Sequence, residues 1–220
     1  MTGTDKSEWI DLTHEIKSNM QVYPGDPEVE LSIVLTHKED YCQVMRLQCS
    51  SHAGTHMDAP CHFFAGGKKL GQFSVNRFMG RGIIIDAQGL KANTALEKEF
   101  FTPYERYLDN GSFVVIRTGW DRYFNQEEYL CHPYIGKSGA EYLVEKQVPL
   151  VGIDALSVDS TVDATEHAHR ILLEENILLV ENLTNLRALQ MDKPYFFSFL
   201  PLKLSDADGA PLRAVARVCR

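Results

Sequence analysis

Residues Ser51–Phe64 read SHAGTHMDAPCHFF and constrain the fold more than any other stretch of the chain. Within them His52, Gly54, His56, Asp58, Pro60 and His62 all occupy even positions. An extended chain alternates its side chains between two faces, so a strand would put all of these on one side. Pro60 argues against a regular helix, because it lacks an N–H and clashes with the preceding turn. A flat strand is not enough either. At about 3.3 Å per residue, His52 and His56 would stand roughly 13 Å apart, whereas histidine and carboxylate bonds to a metal are only about 2 Å long. To share one ion the backbone must fold back between them, and Gly54 is the residue that permits it. His56 and Asp58, two apart, converge without help. The stretch therefore reads as a ligand cluster of His52, His56 and Asp58, with His62 nearby beyond Pro60. A merely structural strand fits poorly, because polar groups packed this densely need a partner or solvent.

The second informative stretch is His167–Leu183, HAHRILLEENILLVENL. Glu181 follows the apolar run Ile177–Val180, where an unpaired charge is costly. His169 lies on the helix that the spacing predicts over Thr165–Glu175. A helix followed by a strand returns the chain, so His169 and Glu181 can meet in space. On the residues alone, Glu181 as a strand-end cap and His169 as a solvated helix residue fit as well. His167 competes with His169, and their spacing on a helix lets at most one of the two join a site. His14, His37 and His132 read as structural or exposed.

The chain has 220 residues, 44% hydrophobic and 24% charged, enough for a proper core in a single unit over 1–220. A net charge of −8 with no basic cluster excludes a nucleic-acid surface. No apolar run reaches the length of a membrane span. The start, MTGTDKSEW, lacks the pattern of a signal peptide. Five cysteines with no CxxC pair predict free thiols in a reducing, cytoplasmic setting. Cys61, on the opposite parity from the ligand cluster, reads as a packing residue.

In order, Trp9–Ile16 alternates as a first strand, and VYPGDP at Val22–Pro27 is turn chemistry. Glu30–Thr36 and Cys42–Cys49 read as paired strands joined by the polar segment HKEDY. Gly82–Ala87, Ser112–Thr118 and Leu150–Asp154 are short apolar runs, the signature of strands buried on both faces. Ala95–Tyr107 reads as helical in part and Ser138–Lys146 as a helix. Phe196–Leu202 and Leu212–Val218 are late strands on either side of the turn SDADGAP. Strands alternating with helices in the second half, after a strand-rich first part, indicate an α/β architecture with an antiparallel portion.

HAGTHMDAPCHF resembles the HxGTHxDxPxH motif of the cyclase family, which includes bacterial kynurenine formamidases and isatin hydrolases. The likeness extends through WIDLTHEI, VYPGD, GIIID, VGIDALSVD, HRILLEENILLVENL and LPLKLSDADGAPLRAV, nearly the whole chain. It implies a metal-dependent hydrolase with a mixed sheet or barrel-like core and flanking helices, of the swivelling β/β/α type, usually a homodimer or tetramer. Carried over, His52, His56 and Asp58 hold one divalent ion, and Asp58 bridges to a second held by His169 and Glu181. His62 becomes the general acid/base. Zinc or manganese, one or two ions per subunit, is the implied cofactor. Kynurenine formamidases commonly place a tryptophan just before the PGD turn; here the residue is Tyr23, which offers a ring face to the substrate.

The reaction this implies is hydrolysis of an aryl formamide, N-formyl-L-kynurenine, to L-kynurenine and formate by water that the metal activates. Histidine suits the proton-transfer role because its ordinary pKa lies near working pH. No GxSxG elbow is present for an acyl-enzyme route. The alternatives are hydrolysis of another cyclic amide or lactone, as in isatin hydrolases, or cyclase activity. More distant is a non-haem Fe(II) oxygenase, which also uses two histidines and a carboxylate. Closed structural zinc sites mostly use cysteine, which disfavours a purely structural ion.

Overall fold

A computed structural model describes residues 9–108, 111–191 and 193–219. Residues 1–8, where no signal peptide was expected, lie outside the described residues.

Twelve strands are present among the described residues: β1 (Ile10–Asp11), β2 (Glu30–Leu35), β3 (Val44–Gln48), β4 (His56–Asp58), β5 (Met79–Asp86), β6 (Ala95–Leu96), β7 (Phe113–Arg117), β8 (Tyr134–Ile135), β9 (Leu150–Ile153), β10 (Leu178–Glu181), β11 (Tyr195–Pro201) and β12 (Gly209–Val218). The α-helices are α1 (His37–Asp40), α2 (Lys98–Phe101), α3 (Lys137–Glu145) and α4 (His167–Glu174). Seven strands close into a mixed barrel in the order β12-β11-β5-β7-β9-β10-β4, and β4 returns to β12. β5, β7, β9 and β10 run parallel to one another, and the remaining pairings within the barrel are antiparallel.

The apolar runs of β7 and β9 are buried along their whole length, as strands covered on both faces must be. Alternate residues part between two cores. Phe113, Val115, Leu178 and Val180 join Met57, Phe197 and Phe199 inside the barrel. Val114, Ile116, Val151 and Leu179 pack outward against Leu143 of α3 and Leu172 of α4. Strands β2 and β3 form a separate hairpin.

Four expectations change. The first strand shrinks from Trp9–Ile16 to two residues plus a bridge between Thr13 and Leu183, because β4 already occupies part of the same edge of β12. The last strand begins at Gly209 rather than Leu212, inside what reads as a turn. There Pro211 stands opposite His56 and its carbonyl takes the Leu202 N–H at 3.0 Å. The HKEDY connection contains a helical turn, capped by Thr36 Oγ1 accepting from Glu39 N at 3.4 Å. The Ser51–Phe64 motif is extended only over His56–Asp58 and then turns into a 3₁₀ segment, Pro60–His62. Among the described residues no helix is long and apolar enough to cross a membrane.

Candidate metal centre

β4 points Met57 into the barrel, so His56 and Asp58 face outward, towards α4. Glu181 stands opposite His56 in the neighbouring strand and projects from the same face. His52 lies upstream of the kink. Gly54 has a φ of +62°, and a Cβ there would come within 3.1 Å of Met20 Cε. That fold-back brings His52 Nδ1 to 2.8 Å from Asp58 Oδ1, with His56 Nε2 3.2 Å from the same oxygen. His169 shares the buried stripe of α4 with Ala168, Leu172 and Leu173, which aims it at the barrel wall. Its Nε2 lies 3.3 Å from Glu181 Oε1 and 3.6 Å from Asp58 Oδ2.

Among the described residues three groups have their donor atoms close enough to share an ion: His52–His56–Asp58, Asp58–His169–Glu181 and the more exposed His52–His62–Asp208. The first two are joined through the two oxygens of Asp58, Oδ1 facing His52 and His56 and Oδ2 facing His169. All five residues anticipated as ligands come together. His167 does not join them; its Nε2 lies 3.0 Å from the carbonyl of Ile135.

Each imidazole is held from behind by an oxygen. His56 Nδ1 lies 2.8 Å from Gly54 O, His169 Nδ1 lies 2.8 Å from Asp159 Oδ2, and His52 Nε2 lies 3.1 Å from Asp208 Oδ2. Such outer acceptors fix the ring and its tautomer, leaving the other nitrogen unprotonated towards the centre. Glu181 is oriented by the Val158 N–H, 2.7 Å from its Oε1. Asp159 and Asp208 are additions that sequence reading missed. Asp159 sits, itself buried, within the stretch after β9, and a carboxylate following an apolar strand was a usable signal. Asp208 lies in a polar turn that carries no such mark.

Asp58 is 0% exposed, and its Oδ2 has no hydrogen-bond partner. An unsatisfied buried oxygen costs about 1–3 kcal/mol, and more when charged. A cation between the donor sets removes that cost, so the residues fit a divalent ion. The electrostatics agree. Burial lowers the pKa of His52, but Asp58 and Asp208 outweigh it and lift the group to about 9. Burial likewise opposes the charged form of His169, yet Asp159, Asp58 and Glu181 raise it well above its ordinary value. Asp58 itself is pulled well below the usual carboxylate range by His56 and His52, against its burial. The field is one that gathers positive charge.

His52, His56, His169 and Glu181 form one wall of a cavity of about 260 Å³, which Tyr23, His62, Phe63, Leu156 and Thr165 also line. Tyr23 reaches it from a turn in which Asp26 N donates to Tyr23 O at 3.0 Å, with Gly25 at a φ of +100°. His62 arrives on the 3₁₀ segment rather than by strand alternation, its ring centroid 4.0 Å from that of His52. Phe63 stacks on His169 at 4.7 Å. Cys61 packs against the barrel-interior cluster, as anticipated.

Residues 10–160 match the family model described as Putative cyclase. The chain is 34% identical over 213 residues to a kynurenine formamidase of Bacillus cereus, covering 96% of this chain and 98% of that one. A structure described as a potential metal-dependent hydrolase with cyclase activity superposes with a TM-score of 0.80 at 25% identity, over 97% of this chain and 98% of the other. Isatin hydrolase A from Labrenzia aggregata shares the fold with a TM-score of 0.88 at 21% identity, over 97% and 94%. The barrel, the donor sets and these likenesses define a metal-dependent hydrolase acting on amide C–N bonds other than peptide bonds. The chain belongs to the cyclase family, and among its members it is kynurenine formamidase-like.

Proposed function

We propose that the chain hydrolyses N-formyl-L-kynurenine to L-kynurenine and formate, with His52, His56 and Asp58 holding one divalent ion and Asp58, His169 and Glu181 a second. The observation that carries the reading is Asp58, a buried carboxylate with one oxygen turned to each donor set and Oδ2 otherwise unpartnered. A bound ion of this kind lowers the pKa of its water towards neutrality and polarises a carbonyl oxygen. The mixed nitrogen and oxygen donors suit zinc or manganese.

His62 lines the cavity outside the two groups that share Asp58, although it forms a third, more exposed group with His52 and Asp208; its place beside the cavity suits it to carry the proton from water to the leaving nitrogen. Phe63 and Tyr23 offer ring faces to an aryl substrate, and the cavity lies just below the usual small-molecule range of about 300–1,000 Å³. The kinship with a kynurenine formamidase over 96% of the chain supports this substrate. We place the working unit as a homodimer or tetramer. A two-stranded hairpin is marginal alone, and β2–β3 exposes Ile33, Val34, Val44, Met45 and Leu47. Five free cysteines fit a cytoplasmic setting.

The test is a parallel assay of zinc- and manganese-loaded protein against N-formyl-L-kynurenine and isatin. Turnover of the formamide is the expected result. Turnover of isatin alone would move the assignment to cyclic amides, and turnover of neither would overturn it.

A further inference from the structure

Asp208 lies immediately before β12, outside the two donor sets that share Asp58, and forms a third, more exposed group with His52 and His62. Its Oδ1 accepts from the Ser51 hydroxyl at 2.9 Å and from Gly209 N at 3.0 Å, which fixes the plane of the carboxylate. Its carbonyl takes the Ala59 N–H at 2.8 Å, so its backbone is pinned to the segment that carries the donors. The other oxygen, Oδ2, is 3.1 Å from His52 Nε2 and 3.8 Å from His62 Nδ1. The two imidazoles lie ring against ring at 4.0 Å.

His52 turns Nδ1 towards Asp58, and a nitrogen that is to bind a cation must carry no proton. The ring's proton therefore belongs on Nε2, where it needs an acceptor, and Asp208 Oδ2 is at that place. We propose that Asp208 is a positioning residue for the reaction: one carboxylate oxygen holds His52 in its ion-binding tautomer and sets the ring of His62 beside it. The ion-binding centre and the proton carrier are thereby held in register by a single group. The part concerning His62 rests on its reading as the acid/base; the part concerning His52 does not.

The experiment compares the full chain with Asp208→Ala, Asp208→Asn and His62→Asn, each with the fold checked by circular dichroism. Ion retention is read by elemental analysis after dialysis against graded chelator, and kcat and KM are read on N-formyl-L-kynurenine. Asp208→Ala is expected to bind the full ion complement at saturation but to release it to roughly 10- to 100-fold less chelator. Asp208→Asn, whose amide oxygen still accepts from His52 Nε2, recovers most of that retention. In kcat, Asp208→Ala costs tenfold or more with KM within twofold, and less than twofold when His62 is already asparagine.

Wild-type retention and kcat in Asp208→Ala would overturn the proposal. So would loss of a whole ion equivalent at saturation, which would make Asp208 a ligand instead. If the wild-type protein leaves the formamide intact, the substrate reading fails alone, and the retention order of wild type, Asn and Ala still decides the role of Asp208 towards His52.

Discussion

Gly209 and His52 approach so closely that a Cβ added to the glycine would lie 2.7 Å from Cε1 of the imidazole and 3.0 Å from the carbonyl of Met57. The first residue of β12 must therefore be bare for the His52 ring to lie across it. Gly209→Ala is expected to rotate His52 away from Asp58 and weaken ion retention at least tenfold. Overpacking adds about 1–3 kcal/mol of destabilisation. Isothermal titration with zinc and a denaturant melt check the two effects. Unchanged affinity would mean that the ring tolerates displacement.

Asp159 serves two structures at once. Its Oδ2 takes Nδ1 and the backbone N–H of His169 at 2.8 and 2.9 Å, and its Oδ1 takes the Ala168 N–H at 3.1 Å. It thus caps α4 and sets the ring that α4 delivers. Asp159→Ala should cost about 1–2 kcal/mol of stability through the lost cap and lower ion affinity about 10- to 100-fold. Elemental analysis alongside thermal melts separates the two losses. An intact ion content at low metal concentration would contradict the orienting role.

His62 and Asp58 should fail in different ways. His62→Ala is expected to lower turnover by about 10²- to 10⁴-fold while metal content stays normal. Asp58→Ala should lose both metal and activity. In the wild-type protein, ions raise the melting temperature in proportion to the logarithm of their concentration, and Asp58→Ala should abolish that rise. Loss of bound metal from His62→Ala would show that this histidine is a ligand.

His14 predicts a pH effect on stability. Its ring stacks on Phe124 at 3.8 Å, and Nε2 is buried without a hydrogen-bond partner. Burial lowers its pKa from 6.5 to about 4, with Asp121 opposing only in part. The fold thus favours the neutral ring, and the unfolded chain binds the proton first. Stability from this source is complete above about pH 6.5 and is lost as the pH falls towards 4, by up to about 1.4 kcal/mol per unit. His14→Leu should flatten that part of the curve when urea melts are compared from pH 7 to pH 4. An unchanged slope would place the titration elsewhere.

The sequence showed the parts of the centre that alternation and chain reversal control. His56 and Asp58 share a face because they are two apart in a strand, and Gly54 supplies the kink that recovers His52. Glu181 was legible as a charge ending an apolar run. The remainder depends on partners distant in the chain. Asp208 meets His52 only because β12 pairs with β4, and nothing in SDADGAP discloses that pairing. Spacing alone could not separate His167 from His169; the buried stripe of α4 decides between them. The opening strand is shorter than its alternation predicts because β4 occupies the part of the β12 edge it would fill.

β4, three residues long, is bonded to β10 on one edge and to β12 on the other. It is the joint of the cylinder, and His56 and Asp58 are two of its three residues. Closing the cylinder and bringing His56 and Asp58 opposite β10 and β12 are consequently one event. Zipping the C-terminal stave against this joint is also what lays Asp208 and Gly209 against the ring of His52.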